Sequence, residues 1–307
     1  MSETDSFDDA WLALRESADD RARDVAGVDD ALKTALDAGG ERTETRILDL
    51  GSGTGANLRR LAPRLGHAQH WTLVDHDAAL LGRLEARLAP WAERHRATLA
   101  EDGDALVIRA DGFDVRVSRV RADLATSLDT LPYAAADLLT GSALLDLAGA
   151  DWLDALARLA ADNSCAVLFA LSYDGRMIWS PRLDDDRAVH ERFTRHQRTD
   201  KGLGPSLGAD AAARLAERLG AHGLAVSVPR SDWTLGADDA DLQRELAIGL
   251  ARAATDIDPT FAGRAERWRD ARLAHIDERV SALVVGHVEV FVPPPHVHPT
   301  ERPAAGD

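Results

Sequence analysis

The sequence predicts an α/β fold with a doubly wound, mostly parallel sheet of seven strands, preceded by helices and carrying a helical or lid-like insertion after the fifth strand. Two observations favour this class. From residue 46 onward, short apolar runs alternate with helical segments, which is typical of a parallel sheet wrapped by helices. The helical segments between the runs are short, as right-handed crossover connections require.

The elements follow in order along the chain. Residues 7–38 place apolar side chains at helical spacing and stop at Gly39-Gly40, which predicts helices before the first strand. The apolar runs predict strands at 46–50, 70–74, 113–119, 136–140, 165–171, 224–229 and 282–292. Helical spacing predicts helices at 57–64, 78–92, 151–161, 209–221, 238–254 and 259–279.

This pattern predicts one main domain, with no internal repeat. An N-terminal helical segment covers residues 1–40, the main domain residues 41–295, and a flexible polar tail residues 296–307. Within the main domain, the charged stretch 173–208 shows little periodicity and is expected to be a loop or lid. A helical insertion is expected at about 236–280.

The charge balance bears on partners and location. With 36 basic and 52 acidic residues the net charge is −16, so we expect no binding to nucleic acid or anionic membranes. The acidic start resembles no signal peptide, and there is no run of about 18 apolar residues, which predicts a cytoplasmic protein. A single cysteine, Cys165, excludes an intrachain disulfide. Nothing in the sequence indicates the oligomeric state.

A glycine-rich turn, Gly51-Ser-Gly53-Thr-Gly55, joins the first predicted strand to a helix. Glycines permit a tight turn and let a ligand lie against the main chain, and the helix that follows presents free N–H groups. The pattern therefore predicts a nucleoside-type ligand. The same glycines also satisfy the looser dinucleotide pattern, so a nicotinamide-dependent oxidoreductase is an alternative.

Asp49, two residues before the first glycine, separates these hypotheses. Its carboxylate would repel the pyrophosphate of a dinucleotide but attract a cationic sulfonium ligand that also carries an ammonium group. The sequence also contains no recognisable Tyr-x-x-x-Lys pair, which is a second point against the oxidoreductase.

In these motifs the chain resembles the class I S-adenosylmethionine-dependent methyltransferases that act on small molecules. Asp49-Leu-Gly51-Ser-Gly53-Thr-Gly55 matches the family's first motif, and Asp75 ends the second strand, where a carboxylate could accept from two ribose hydroxyls. Asp123-Leu124 matches the adenine-binding position, and residues 136–145 resemble the strand that borders the transferring methyl group.

The resemblance implies a Rossmann-like methyltransferase fold, S-adenosylmethionine as the cofactor and a small-molecule acceptor. It also implies cofactor contacts from Asp49, Gly51, Ser52, Gly53, Gly55, Asn57, Asp75, His76, Asp123, Leu124 and Ser142. In many relatives an N-terminal helix lies over the cofactor, so Arg15 and Arg23 are candidates for its carboxylate, with surface solvation as the alternative. A non-catalytic donor-binding sensor or partner subunit is a further alternative.

The acceptor side is less defined, and no catalytic residue is assigned. If the acceptor carries a proton, Asp146, His190 and His196 are the candidate bases, although Asp146 could instead cap the next helix. The segment 176–201 is basic in an acidic chain, so Arg192, Arg195 and His196 are candidate contacts for an anionic substrate. The alternative is a salt-bridged surface helix. The scattered histidines suggest no metal site.

Overall fold

The computed structural model describes residues 9–38 and 43–294, and its centre is one nine-stranded sheet. The strands, in chain order, are β1 (Thr45–Leu50), β2 (His67–Asp75), β3 (Thr98–Asp102), β4 (Ala105–Ala110), β5 (Phe113–Arg121), β6 (Leu138–Ser142), β7 (Ala166–Ser180), β8 (Trp233–Leu235) and β9 (Ala282–Val292). Their order across the sheet is β3-β4-β5-β2-β1-β6-β7-β9-β8. The five central strands, β5 to β7 in that order, are parallel.

Helices cover both faces of the sheet and one end of it. They are α1 (Asp9–Ala26), α2 (Val28–Ala38), α3 (Ala56–Leu65), α4 (Ala78–Gly82), α5 (Leu84–Arg94), α6 (Leu124–Ser127), α7 (Ala150–Asn163), α8 (Asp186–Gln197), α9 (Ala211–Ala221), α10 (Ala240–Ile257) and α11 (Ala262–Asp277). The predicted doubly wound α/β architecture is confirmed. Gly39-Gly40 and the tail 296–307 lie outside the described residues.

Three buried apolar clusters hold these layers together. One joins α7 and α9 to one face of the sheet, and a second joins α2, α3 and α5 to the other face. The third lies beyond the end of the parallel strands, where the far half of β7, β8 and β9 pack against α1, α8, α10 and α11. The fold thus places α1 beside the carboxyl ends of the central strands.

The sheet has nine strands and not the predicted seven. The edge hairpin β3–β4 was missed because β3 is short, exposed and largely polar, and β4 is a largely buried, apolar run of only six residues. The predicted strand at 224–229 does not form. Ser227 makes an isolated bridge with Phe291 of β9, but Pro229 has no N–H to extend the ladder. The short strand β8 follows instead, at 233–235.

The stretch 173–208 is not the irregular loop that its composition suggested. β7 continues to Ser180 because its second half pairs with β9, as in Met177 opposite Val285. α8 then packs on α10 and buries Val189. Its charged residues are compatible with order because many form ion pairs, which a linear reading of the sequence does not reveal.

The topology also fixes where a ligand can bind. From β1 the chain continues to β2 on one side, while β6 lies on the other side of β1. In an open α/β sheet, this reversal of strand order leaves a crevice outside the carboxyl ends of the strands. Here those ends carry Leu50, Asp75 and Ser142.

Candidate active site

A cleft of about 250 Å³ opens at this reversal point. Ten of the eleven predicted cofactor residues line it, namely Asp49, Gly51, Ser52, Gly53, Asn57, Asp75, His76, Asp123, Leu124 and Ser142. The eleventh, Gly55, does not. The cleft also takes in residues the sequence did not single out as contacts, including Leu12 and Asp19 of α1 and Lys201–Leu203 of the segment after α8.

The glycine turn adopts the backbone that its sequence requires. Gly51, Gly53 and Gly55 have φ values of 63°, 53° and 77°, in the left-handed region that other residues avoid. At Gly55, a Cβ atom would also lie 2.6 Å from Leu84 Cδ1. Gly55 therefore serves the packing of α3 against α5, which is why it is absent from the lining of the cleft.

Asp75 is a buried carboxylate at the end of β2 that holds the turn in place. Its Oδ2 accepts from the Gly53 N–H (2.8 Å) and its Oδ1 from the Asp77 N–H (2.9 Å). His76 Nδ1 lies 3.4 Å from Oδ1. Each carboxylate oxygen has a second lone pair, so Asp75 can still accept from a ligand's hydroxyl groups.

Asp49 lies at the floor of the cleft and is only 1% exposed. Its Oδ1 accepts from Asn57 Nδ2 (3.2 Å), whereas Oδ2 is buried and has no partner among the described residues. Burial raises the pKa of Asp49 to about 7, while the Asn57 hydrogen bond and the charge of Arg23 oppose the shift. The Oγ of Ser52 is likewise buried without a partner. The cleft thus contains unsatisfied polar atoms, as a ligand site does.

The other end of the cleft is formed by Asp123 and Leu124. Asp123 caps the short helix α6, and its Oδ1 accepts from the Ala125 N–H at 2.9 Å. The Leu124 carbonyl accepts from the Trp152 indole (2.9 Å), which fixes the loop against α7. The distribution of Asp49, Asp75 and Asp123 along the cleft follows their order on three neighbouring strand ends.

Helix α1 forms one wall of the cleft through Leu12, Arg15 and Asp19. Arg15 pairs with Asp19 (2.9 Å), and its guanidinium lies 5.0 Å from the centroid of the Trp233 ring. Trp233 in turn donates to Asp19 (2.9 Å). Of the two arginines considered for the cofactor carboxylate, Arg15 therefore lines the cleft, whereas Arg23 is buried behind it.

The residues predicted to contact an anionic substrate lie elsewhere. Arg192 pairs with Asp258 at 2.8 Å and lies 3.8 Å from the centroid of the Phe261 ring, between α8 and the start of α11. Neither Arg195 nor His196 lines the cleft. For Arg192, the alternative of a salt-bridged helix is the better description, because its partner comes from a distant part of the chain.

Asp146 does not cap the following helix, because the N-cap of α7 is Gly149. Burial raises the pKa of Asp146 to about 6, opposed by backbone N–H groups and by the charge of Arg15. His190 Nε2 lies 2.8 Å from the Tyr173 hydroxyl, and burial lowers the pKa of this histidine. His190 lines a second cavity, between β7, α8 and α11, and not the cleft. The three candidate bases are thus not assembled at one point.

The described residues were also compared with the requirements of a membrane-spanning helix and of a metal site. No helix in the ranges 9–38 and 43–294 is long and apolar enough to cross a membrane. Within the same ranges, no three His, Cys, Asp or Glu side chains are grouped so as to hold a metal ion.

Part of this cleft lies in a segment that is similar in sequence to known proteins. Residues 47–160, which include β1, the glycine turn, Asp75, Asp123 and β6, match the sequence profile described as a methyltransferase domain. No protein among those of curated function matches the chain significantly.

Several solved structures are distantly similar. The cyclopropane synthase MmaA2 from Mycobacterium tuberculosis is 12% identical, with 86% of this chain and 82% of that chain covered and a TM-score of 0.43. A methyltransferase from Geobacter sulfurreducens in complex with S-adenosyl-L-homocysteine is 17% identical (86% and 90% covered, TM-score 0.40). A cyclopropane-fatty-acyl-phospholipid synthase-like protein from Lactobacillus casei is also 17% identical (88% and 92% covered, TM-score 0.41).

These likenesses are too distant to bear on function, so the assignment rests on the sequence match and on the motifs that lie inside it. Residues 47–160 match a methyltransferase domain and carry the class I motifs, and S-adenosylmethionine-dependent methyl transfer is the activity that this match supports.

Proposed function

We propose that S-adenosylmethionine lies along the cleft, with its adenine at Asp123 and Leu124, its ribose at Asp75 and its methionine end beside Asp49 and Ser142. The observation that carries this proposal is the buried Oδ2 of Asp49, which faces no donor among the described residues. An acceptor atom left in this state is costly unless a ligand satisfies it. The ammonium group of the donor is such a ligand.

Electrostatics favour this ligand over a dinucleotide. Asp49, Asp75 and Asp123 all line the cleft, and Asp49 and Asp75 are each no more than 5% exposed. A site of this charge attracts a cationic ligand and repels a pyrophosphate, and the low polarity of the interior strengthens both effects. We therefore do not favour the nicotinamide-dependent alternative.

Bound S-adenosylmethionine supplies an activated methyl group, so the protein has chiefly to orient the acceptor and exclude water. We infer that α1 serves the second purpose, since its residue Leu12 lines the cleft together with the apolar side chains of Leu144 and Leu203. No general base is assigned. Asp146 lies between the cleft residues Leu144 and Leu147, and its raised pKa suits proton transfer near neutral pH.

We further propose that an anionic acceptor would be held by Lys201, and not by Arg192, Arg195 or His196. Two long cationic side chains line the cleft, Arg15 and Lys201. Arg15 is neutralised by Asp19, whereas Lys201 makes no ion pair with a described residue. A Lys201→Gln variant should raise the KM for an anionic acceptor while the Kd for the donor stays at the wild-type value. Equal changes in both constants would exclude this role.

Two experiments test the proposed function. Calorimetric titration should show binding of S-adenosylmethionine and S-adenosylhomocysteine and none of NAD, and NAD binding would refute the proposal. Turnover with a methyl-labelled donor and an extract of small metabolites should then give a labelled product. Donor binding without any labelled product from acidic, neutral and basic fractions would favour the alternative of a sensor or partner subunit.

A further inference from the structure

A buried chain of hydrogen bonds leads from helix α1 to the cleft. Arg23 of α1 is 2% exposed, and its Nη1 donates to Asn57 Oδ1 at 2.8 Å. Its Nη2 donates to Asp29 Oδ1 at 2.6 Å, so Asp29 of α2 holds the guanidinium in place. Asn57, on the first turn of α3, is bonded to Asp49 in turn. Arg23 itself does not line the cleft.

The bonds around Asn57 permit one orientation of its amide. Nδ2 lies 3.2 Å from Asp49 Oδ1 and 3.0 Å from Thr140 Oγ1. The Thr140 hydroxyl donates to the Leu168 carbonyl (2.7 Å), so it can only accept from the amide. Arg23 can only donate, and it therefore requires the amide oxygen on its own side. With the oxygen held there, both N–H groups of Asn57 point to acceptors.

Asp49 meets charged and polar groups from four elements. Arg23 of α1 and Asn57 of α3 favour its anionic form, and Asp75 of β2 disfavours it. Thr140 of β6 shares the Asn57 amide with it. Since burial also disfavours the anion, Arg23 and Asn57 are the groups that oppose this effect and favour the charged form of Asp49.

We propose that Arg23 is a positioning residue for donor binding, because it holds the Asn57 amide so that Asp49 accepts one bond from it and keeps its other oxygen for a cationic ligand. The proposal rests on the proposed function, since it takes the ammonium end of the methyl donor as that ligand. It adds a residue outside the cleft, on the helix that forms the cleft wall, to the groups that determine donor affinity.

The proposal has a consequence for pH dependence. The anionic form of Asp49 binds the cation, so donor affinity rises as the pH rises through the pKa of Asp49, which is about 7. Removal of Arg23 removes a favourable charge and frees the amide to turn. The pKa of Asp49 then rises further, and the midpoint of the affinity profile moves to higher pH.

The test is calorimetric titration of S-adenosylmethionine into the full-length protein between pH 6 and pH 9. Arg23→Gln should move the midpoint upward by about one pH unit and weaken binding about fivefold at pH 7, because Asp49 is already half protonated there in the wild type. Arg60→Gln is the matched control. Arg60 is also a buried arginine bonded to Asp29 (2.7 Å), but its side chain makes no hydrogen bond to Asn57. Its loss should leave the midpoint unchanged.

Two further variants keep the test decisive if Arg23→Gln does not fold. Asn57→Ala removes the amide and leaves the Arg23–Asp29 pair, so it should move the midpoint in the same direction. Arg23→Lys retains the charge but lacks the forked geometry. Its midpoint should therefore lie between those of the wild type and of Arg23→Gln.

The outcomes separate this inference from the proposed function. If the wild-type protein does not bind the donor at any pH, both fail. If it binds but the variants at Arg23 and Asn57 lose affinity equally at every pH, their role is only structural and the inference alone is refuted. An equal midpoint shift in Arg60→Gln would refute it as well.

Discussion

Replacing Asp75 by alanine tests the ribose contact and the glycine turn together. The wild-type carboxylate is 5% exposed and accepts from the N–H groups of Gly53 and Asp77, with one lone pair left on each oxygen for a ribose hydroxyl. The alanine variant loses all four bonds, of which two involve the ligand. It should therefore bind the donor far more weakly and also be less stable.

The loss of donor binding should be larger than the loss of stability. A hydrogen bond to a charged group contributes about 1.5–3 kcal/mol, so the loss of two ribose bonds corresponds to about 3–6 kcal/mol of binding free energy. This amounts to a rise in the donor Kd of about 10²- to 10⁴-fold. The free energy of unfolding should fall by about 2 kcal/mol, because water can reach the partly exposed N–H groups of Gly53 and Asp77.

Calorimetric titration gives the Kd, and urea denaturation without ligand gives the stability. Asp258→Ala is the matched control, since Asp258 also accepts several side-chain and backbone bonds, from Arg192 and Thr260, but lies away from the cleft. It should lose stability and bind the donor with wild-type affinity. Native affinity in Asp75→Ala, or an equal loss in Asp258→Ala, would refute the assignment of Asp75 to the ribose.

Three other predictions concern Gly55, His287 and Arg192. Gly55→Ala should lower the free energy of unfolding by about 2–5 kcal/mol, because Gly55 has a positive φ and a new Cβ would collide with Leu84. Gly82→Ala is the control and should not destabilise the protein, because the space around Gly82 is open. Equal urea midpoints for the two variants would contradict this prediction. Burial lowers the pKa of His287 to about 3, so the unfolded chain alone takes up that proton below about pH 6.5. Wild-type stability should therefore fall by about 2 kcal/mol more than that of His287→Gln between pH 6.5 and pH 5, and parallel curves would show that this histidine titrates normally. Arg192→Ala should lower the free energy of unfolding by about 1–2 kcal/mol, because it loses an ion pair and a ring contact, and it should leave the donor Kd unchanged. A higher donor Kd with native stability would instead indicate that Arg192 contacts the ligand.

The parts of the site that the sequence predicted are those that depend on local backbone. The turn from Gly51 to Gly55 needs positive φ values, and the closely spaced glycines in the sequence indicate this directly. Asp49, Asp75 and Asp123 each end a strand or begin the segment after it, and parallel strands bring these ends to one edge of the sheet. The prediction of a parallel sheet and the spacing of the motifs were therefore sufficient to bring together most of the residues that line the cleft.

The parts that were missed depend on partners far apart in the sequence. Arg192 stands in a basic segment, and only the fold brings Asp258 to it across 66 residues. Arg23 and Asn57 are 34 residues apart, and nothing in either neighbourhood indicates that they share a bond. The extension of β7 likewise depends on β9, more than 100 residues later. Composition alone could not reveal these pairings.

The most direct test of the donor site is a crystal structure of the protein with S-adenosylhomocysteine. The account predicts both ribose hydroxyls within hydrogen-bonding distance of Asp75, the ammonium group on Oδ2 of Asp49, and the adenine beside Asp123 and Leu124. A ligand that binds elsewhere, or one whose ammonium group avoids Asp49 while the cleft remains open, would contradict it.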